Sequence, residues 1–275
     1  MNGTLPLFPR VPVLGVPVTR AGLPEVADWV MECARRRLPV KVAVAPVHSL
    51  VVAHQDPEHW EALAACQIVT ADGQPVRWAL NLLREEGTPP LGERVYGPDL
   101  TFELCRLAAR ERMGVYFFGS VPAVMQKLLA GLKERIPDLK AFGHCPGRVS
   151  LPTARPSALG GESHGEGIIY DPQADIEKIK SSGAQILFVG LGCPKQERWI
   201  HLYAEQAGLP CLGVGAAFDF HAGTLAQAPP WMQKRGLEWL FRLAKEPGRL
   251  WKRYLIGNSL FLGLLALDFW RRKVK

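Results

Sequence analysis

The sequence lacks several features that would restrict its function. Its six cysteines show no CxxC pair and no regular spacing, so neither a zinc knuckle nor a disulfide framework is indicated, and a reducing compartment is favoured. The chain does not open with a charged segment followed by an apolar one, so we expect no signal peptide. The apolar stretch 254–270 is interrupted by Asn258 and Asp268 and falls short of the roughly 20 residues that span a bilayer. We therefore expect a cytoplasmic protein whose last helix lies on a membrane surface or packs against the core.

Signatures of nucleotide and metal binding are also incomplete. No GxxxxGK[ST] loop occurs, and GLG (190–192) and GVG (213–215) each lack the third glycine of a dinucleotide fingerprint, because Lys195 and Phe218 stand at its position. No DxD pair is present to hold a divalent ion against a nucleoside diphosphate, and Asp219 with His221 would supply only two ligands. We expect neither a required metal nor a cofactor.

The excess of positive charge is confined to one end of the chain. The net charge is +7, and residues 234–275 hold 11 Lys and Arg against three acidic residues, whereas the preceding 233 residues hold 22 basic and 23 acidic residues. The same basic segment is rich in Trp and Phe, a mixture that suits anionic membrane headgroups better than DNA. We favour contact with a membrane surface, and nucleic-acid binding is the alternative.

Short valine-rich runs alternate with longer amphipathic stretches over the first two hundred residues. This pattern predicts a Rossmann-like α/β core, with a mostly parallel sheet and helices on both faces. The predicted strands are 40–47, 67–71, 114–119, 139–143, 185–191 and 211–217. The predicted helices are 23–36, 57–65, 74–84, 99–112, 121–135, 173–181 and 195–207.

The end of the chain has a different pattern. From Trp231 onward the sequence predicts helices with aromatic and basic faces, so we divide the chain into a catalytic core, residues 1–228, and a helical appendage, residues 229–275. Apolar helix faces more commonly complete a core or a subunit interface, which leaves a homo-oligomer open. Residues 144–169 are rich in Pro, Gly and Ser without periodicity and predict a long loop, with a lid as one interpretation.

Polar side chains follow several of the predicted strands. In an open parallel sheet, ligands bind beyond the carboxyl ends of the strands, where glycines admit a ligand close to the backbone. In VGLGCPKQERWI, Gly190 and Gly192 precede Lys195 and Gln196, a cation and an amide that could bind a phosphate and a sugar hydroxyl. A solvated helix start is the alternative interpretation.

Other junctions leave similar alternatives. Asp72 follows a buried run in QIVTADGQPV and could serve as a general base or cap the next helix. Arg94, in GERVYGPDL, could clamp a phosphate or pair with a nearby acid such as Glu93. Gly119 and Ser120, after GVYFF, form another candidate nucleotide loop. Spacing alone does not decide between these roles.

Taken in order, these motifs resemble the WecG/TagA/CpsF glycosyltransferases, which build bacterial teichoic acids, enterobacterial common antigen and exopolysaccharides. The resemblance spans most of the chain and is carried by ADGQPV (71–76), RVYGPDL (94–100), VGLGCPKQERWI (189–200), GVGAAFDFHAG (213–223) and APPWMQKRGLEWLFRLAKEPGRLWKRYL (228–255). The last motif is the most specific, because it is long and unusual in composition.

The resemblance implies an inverting transferase that moves a sugar, N-acetylmannosamine or a related hexose, from a UDP-sugar to a saccharide on a polyprenyl diphosphate. It implies a metal-independent, Rossmann-like core and an appendage that docks on the anionic inner face of the cell membrane. By position, Asp72 would be the base, and Arg94, Gln196 and Asp219 would lie near the substrate.

In the appendage, the same matching implies that arginines face the lipid diphosphate. These are Arg242, Arg249 and Arg253.

The sequence departs from the family's pattern in two places. A Thr-x-Asn that is common after the first core strand is replaced by Val44 and Pro46, with His48 and Ser49 the nearest polar residues. This departure leaves the identity of the donor sugar open. Gln227 stands where relatives commonly have Arg, which removes one expected phosphate contact.

Two other classes of function compete on the residues alone. A nucleotide-binding oxidoreductase is disfavoured by the incomplete glycine fingerprints and by the lack of an acidic ribose-binding residue after a second strand. A nucleic-acid-binding module would use the basic tail, but the polar junction motifs lie in the nearly neutral core.

Overall fold

The computed structural model describes residues 5–152 and 170–273, with the backbone alone for Arg249, Arg253 and Lys273. Its strands are β1 (Arg10–Val13), β2 (Val16–Thr19), β3 (Lys41–Ala45), β4 (Ile68–Ala71), β5 (Gly114–Gly119), β6 (Lys140–His144), β7 (Ile186–Gly190) and β8 (Cys211–Gly213). In the described part of the chain, six of them form a sheet in the order β4-β3-β8-β7-β5-β6, and each neighbouring pair is parallel. β1 and β2 form a separate antiparallel hairpin.

Helices connect these strands and complete the C-terminal end. They are α1 (Leu23–Arg35), α2 (Val47–Gln55), α3 (Pro57–Ala64), α4 (Gln74–Leu82), α5 (Gly97–Arg110), α6 (Pro122–Arg135), α7 (Pro172–Ser181), α8 (Lys195–Ala207), α9 (Ala217–His221), α10 (Pro230–Lys234), α11 (Glu238–Lys245), α12 (Pro247–Trp251) and α13 (Gly257–Lys273). A π-helical segment, Lys252–Ile256, joins α12 to α13.

Both faces of the sheet are buried, because successive strand residues point to opposite sides. Phe117 of β5 and Phe188 of β7 stack with ring centroids 5.0 Å apart, in the hydrophobic cluster that includes residues of α1, α5 and α6. The next residues, Phe118 and Val189, belong to a cluster on the other face with α7 and α8. This two-sided burial confirms the predicted α/β core with a mostly parallel sheet and helices on both faces.

Helix α2 lies where the sequence predicts the end of a strand and a loop. β3 ends at Ala45, and α2 follows from Val47. The buried residues of α2 are Val47, Ser49, Leu50, Val51 and Ala53, which are spread around the helix, so the segment lacks the polar face that marks an amphipathic helix. The strand predicted at 211–217 also ends early, at Gly213, and the short helix α9 follows.

The β1–β2 hairpin is not apparent from the sequence pattern either. Its turn consists of Leu14 and Gly15, with φ of 51° and 82°, and two positive φ values are the geometry of a tight hairpin turn. Pro12 pairs with Pro17 across the hairpin. Proline cannot donate a ladder hydrogen bond, and its presence in VPVLGVPV obscures the strand pattern.

The C-terminal helices pack on the core through part of their apolar surface. Phe261 and Leu265 of α13 are buried in the same hydrophobic cluster as Leu50 of α2 and Val69 of β4. Other large apolar side chains of the C-terminal helices are exposed: Trp231, Leu240, Trp251, Leu255, Ile256, Leu262, Leu267 and Trp270. Thus α13 shares a hydrophobic cluster with the core. The division of the chain into a core and an appendage at residue 228 stays a prediction.

The described residues include neither a membrane-spanning helix nor a disulfide bond. None of their helices is both long and apolar enough to cross a bilayer. All six cysteines lie in the described ranges and are free thiols there. Residues 145–152 of the predicted loop follow β6 without helix or strand, and the rest of this loop with its possible lid, residues 153–169, lies outside the described residues.

Candidate active site

A cavity of about 660 Å³ lies at the carboxyl edge of the sheet. The ends of five strands contribute to its wall, with Val44 from β3, Asp72 after β4, Ser120 after β5, Gly190 from β7 and Val214 after β8. The C-terminal helices supply another part of the wall, which includes Glu238, Trp239, Arg242, Glu246, Tyr254 and Asn258. Ligands of open α/β sheets bind at this edge, so we take the cavity as the candidate active site.

Asp72 lies directly after β4 and lines the cavity. Its Oδ1 accepts a 2.9 Å hydrogen bond from the backbone N–H of Gly97. Burial raises the pKa of Asp72 to about 6, although the charge of Arg94 and the hydrogen bond from Gly97 act in the opposite direction. α4 begins at Gln74 with Gly73 at its N-cap position, so Asp72 does not cap that helix. The carboxylate is therefore available to exchange a proton near neutral pH.

Arg94 joins the core to the C-terminal helices. One of its terminal nitrogens lies 2.8 Å from Glu238 Oε2 and donates a 3.1 Å hydrogen bond to Gln233 Oε1. Its guanidinium carbon lies 4.1 Å from the centroid of the Tyr96 ring, and Tyr96 donates its hydroxyl to Glu238 Oε1 at 2.8 Å. The acid that pairs with Arg94 is thus Glu238, and not the neighbouring Glu93.

Arg242 is a second cation in the cavity wall. It lies on α11, one turn after Glu238, with its guanidinium carbon 5.6 Å from the centroid of the Phe220 ring. Its Nε is shielded from solvent and makes no hydrogen bond to any residue that the structure describes. This donor is available to an anionic ligand. The side chains of Arg249 and Arg253, the other predicted lipid-diphosphate contacts, lie outside the described part of the chain.

Gln196 lines the cavity, but both ends of its amide are used within the protein. Its Oε1 accepts a 3.1 Å hydrogen bond from the N–H of Gly215, and its Nε2 donates to Glu197 Oε1 at 2.9 Å. The side chain is almost fully buried. Gln196 therefore holds the turn after β8 in position. Its contact with a sugar hydroxyl stays a prediction.

The glycines after β5 and β7 allow two strand ends to approach closely. Gly119 has a φ of 120°, and a Cβ at this position would lie 2.7 Å from the carbonyl group of Gly190. Gly119 does not line the cavity, whereas Ser120, with a φ of 61°, and Gly190 do. A Cβ at Gly190 would itself meet the Phe218 ring at 2.7 Å. Close packing thus requires glycine at both positions.

The remaining predicted contacts divide between the cavity and the surface. Gly192 and Asp219 line the cavity. Lys195, which we expected to bind phosphate, is exposed and does not line it. His221 Nε2 lies 2.9 Å from the carbonyl oxygen of Pro98. Within residues 5–152 and 170–273, neither Asp219 nor His221 belongs to a group of three potential metal ligands. Such a group is formed by three other residues, His59, Cys193 and Glu197.

The positions that depart from the family's pattern differ in whether they line the cavity. Val44, Pro46 and His48 line the cavity beyond β3. Gln227 is exposed and does not line it. Glu238 is a residue of the cavity that the sequence did not single out. No local pattern indicates that this acidic residue on α11 pairs with Arg94.

The chain is similar to known proteins over the region that holds this cavity. A model of the glycosyl transferase WecG/TagA/CpsF family matches residues 11–275, a range that includes every residue lining the cavity. The chain is similar to proteins named N-acetylglucosaminyldiphosphoundecaprenol N-acetyl-beta-D-mannosaminyltransferase. It is 28% identical to that of Bacillus spizizenii over 206 residues, 74% of this chain and 70% of the relative. It is 26% identical to that of Bacillus subtilis over 202 residues, 73% and 69% of the two chains. It is 26% identical to that of Staphylococcus aureus over 216 residues, 78% and 74% of the two chains.

Proposed function

This chain belongs to the glycosyl transferase WecG/TagA/CpsF family, and we propose that it transfers N-acetylmannosamine or a related hexose from a UDP-sugar to N-acetylglucosamine on undecaprenyl diphosphate. The names of the relatives specify an N-acetylmannosaminyl group and this lipid-linked acceptor. The product would serve the synthesis of a cell-surface polysaccharide. Family membership gives no support to the alternatives of an oxidoreductase or a nucleic-acid-binding module.

The observation that carries the proposal is the position of Asp72, a carboxylate with a pKa raised to about 6 by burial, in the wall of a cavity that also presents Arg94 and Arg242. In the proposed reaction, Asp72 takes the proton of the acceptor hydroxyl as that oxygen bonds to the anomeric carbon. The bond between the anomeric carbon and the diphosphate oxygen breaks on the opposite face, and UDP leaves with the electron pair. The configuration at the anomeric carbon is inverted.

The negative charge that develops on the departing diphosphate requires cations or N–H donors. Arg242 is suited to this task, because its Nε is buried and makes no hydrogen bond within the described residues. Arg94 can contribute once a ligand competes with Glu238 for its guanidinium. In this proposal the charge is met by arginines, and the transfer step requires no metal ion.

The lipid-linked acceptor places the proposed reaction at a membrane. The exposed apolar side chains of the C-terminal helices, among them Trp251, Leu255 and Trp270, lie in the basic part of the chain. Apolar contact and attraction of basic residues to anionic headgroups together favour binding at the interface. We propose that the enzyme is peripheral, on the cytoplasmic side of the cell membrane.

Replacement of Asp72 tests the proposal. Release of UDP is measured with a panel of UDP-sugars and the lipid-linked acceptor, in the presence of EDTA. We expect the wild type to turn over at least one UDP-sugar, and Asp72→Asn to lose about 10²–10⁴-fold in kcat. Calorimetry should show that this variant still binds UDP.

The matched control is Asp28→Asn, which changes an exposed aspartate on α1 and should leave kcat unchanged. Nearly intact turnover in Asp72→Asn would contradict the assignment of the base. Dependence of the wild type on added Mg²⁺ would contradict the metal-independent step.

A further inference from the structure

Three side chains with metal-binding atoms meet at the edge of the cavity and have no part in the proposed transfer. His59 lies on α3, Cys193 lies between β7 and α8, and Glu197 lies in the first turn of α8. Their potential ligand atoms all lie within 4.8 Å of one another. From this geometry we propose that His59, Cys193 and Glu197 bind a thiophilic divalent cation of the Zn²⁺ class.

The spacing of the ligand atoms is close to that of a zinc site. Cys193 Sγ lies 3.7 Å from His59 Nε2. Zn–S and Zn–N bonds of about 2.3 and 2.0–2.1 Å at a tetrahedral angle separate the two ligand atoms by about 3.5 Å. The thiol and the imidazole therefore need only a small movement to share one ion. All three ligand types are among those that zinc uses in proteins.

The imidazole of His59 reaches the cluster through its Nε2 atom. His59 is fully buried. Ser49 Oγ lies 3.0 Å from Nε2, the nitrogen that also faces Cys193. When the Ser49 hydroxyl donates to this nitrogen, the lone pair of Nε2 accepts that hydrogen bond and the ring proton is on Nδ1. A metal ion would take over that lone pair.

The charges around the cluster suit a cation. Arg198 follows Glu197, and one of its terminal nitrogens lies 2.8 Å from both Asp56 Oδ2 and Glu58 Oε2. Two carboxylates therefore compensate this guanidinium, and the buried carboxylate of Glu197 adds a further negative charge. A divalent ion would add positive charge next to these carboxylates.

The donor set also limits which ion can bind and where its fourth ligand lies. Mg²⁺ prefers oxygen ligands in an octahedral arrangement, whereas sulfur and nitrogen favour Zn²⁺. Cys193 and Glu197 both line the cavity, so the fourth position of a tetrahedral ion would face it. The ion is separate from the proposed transfer, in which Asp72 acts without a metal.

Cobalt binding tests the site directly in the full-length protein after removal of metals with a chelator. Co²⁺ bound to a thiolate gives a charge-transfer absorption band, so we expect the band to saturate at one equivalent. Zn²⁺ should abolish the band, and Mg²⁺ should not. Absence of the band, or its loss on addition of Mg²⁺, would overturn the proposal.

Two cysteine variants locate the ion. Cys193→Ser should remove the band and weaken Zn²⁺ binding by more than about tenfold. Cys145→Ser changes another half-buried cysteine and should retain both. Retention of the band in Cys193→Ser, or its loss in Cys145→Ser, would contradict the assigned ligand.

A measurement on the wild type covers the case in which a variant does not fold. Zn²⁺ should slow the alkylation of Cys193, mapped by mass spectrometry, without slowing that of Cys145. Equal effects at the two cysteines would overturn the proposal. Turnover in EDTA, by contrast, tests the proposed transferase, so the two proposals can fail independently.

Discussion

Arg94 and Glu238 form an ion pair of 2.8 Å that connects the segment before α5 to α11 in the wall of the cavity. Both side chains are largely buried, with 12% and 13% of their surfaces exposed. Tyr96 donates its hydroxyl to the same carboxylate. Because a buried charge that loses its partner is costly, this pair holds the C-terminal helices against the part of the cavity wall that includes Asp72. It also places a negative charge near Asp72.

The charge of Glu238 should influence the pH dependence of turnover. Glu238 raises the pKa of Asp72, whereas Arg94 lowers it. In Glu238→Gln the raising charge is lost and Arg94 is no longer neutralised, so the acid limb of kcat/KM should move to lower pH. Glu93→Gln, which changes an exposed neighbour, should leave the limb in place. An unchanged limb in Glu238→Gln would show that Glu238 does not act on the base.

The wild type should lose activity in mild acid. The proposed base must be ionised, and burial raises the pKa of Asp72 to about 6. Below this pH, kcat/KM should therefore fall about tenfold per pH unit, and above it the rate should reach a plateau. A profile of UDP release from pH 4.5 to 8 measures this limb. A flat profile down to pH 4.5 would mean that the base has an ordinary carboxyl pKa.

Asp72 should also make stability depend on pH. Its pKa is about 6 in the folded protein against a usual 3.8, so ionisation disfavours the folded state as the pH rises from 3.8 through 6. Asp72→Asn removes this cost, which is on the order of 1–3 kcal/mol at pH 7, and can still accept the hydrogen bond from Gly97.

Thermal unfolding at two pH values checks that expectation. The variant should have a higher midpoint than the wild type at pH 7, and the difference should shrink at pH 4. A lower midpoint at pH 7 would indicate that the ionised carboxylate stabilises the fold.

Membrane binding should depend on exposed apolar residues of the C-terminal helices. Removal of the whole segment would also remove Phe261 and Leu265 from the core, so point substitutions give the clearer test. Combined replacement of Leu255, Leu262 and Trp270 by Ser should reduce sedimentation with anionic vesicles by at least about tenfold, because the apolar area available for burial is lost.

The control for this experiment is Leu7→Ser, which changes an exposed apolar residue outside the C-terminal helices. This variant should bind vesicles like the wild type. Equal binding by the triple variant and the wild type would place the membrane contact elsewhere. High salt should weaken binding of the wild type, since part of the attraction is electrostatic.

Local sequence pattern predicted most of the helices and strands but not how each helix is rotated. Lys195 and Gln196 are adjacent at the start of α8, yet Lys195 is exposed and Gln196 is buried. The orientation of α8 is set by Trp199 and Ile200, which pack against the sheet in a fully buried cluster. A motif that contains both residues does not specify which of them faces the ligand.

The sequence by itself determined the alternation of strands and helices and the position of Asp72 at the end of a strand, because both follow from local periodicity and turn residues. Only the tertiary structure decided which side chains meet in the cavity and at its edge. Tyr96 and Glu238 are 142 residues apart, and His59 and Cys193 are 134 residues apart. Such pairs depend on the order of the strands in the sheet and on the packing of α8 and α11, which no local pattern encodes.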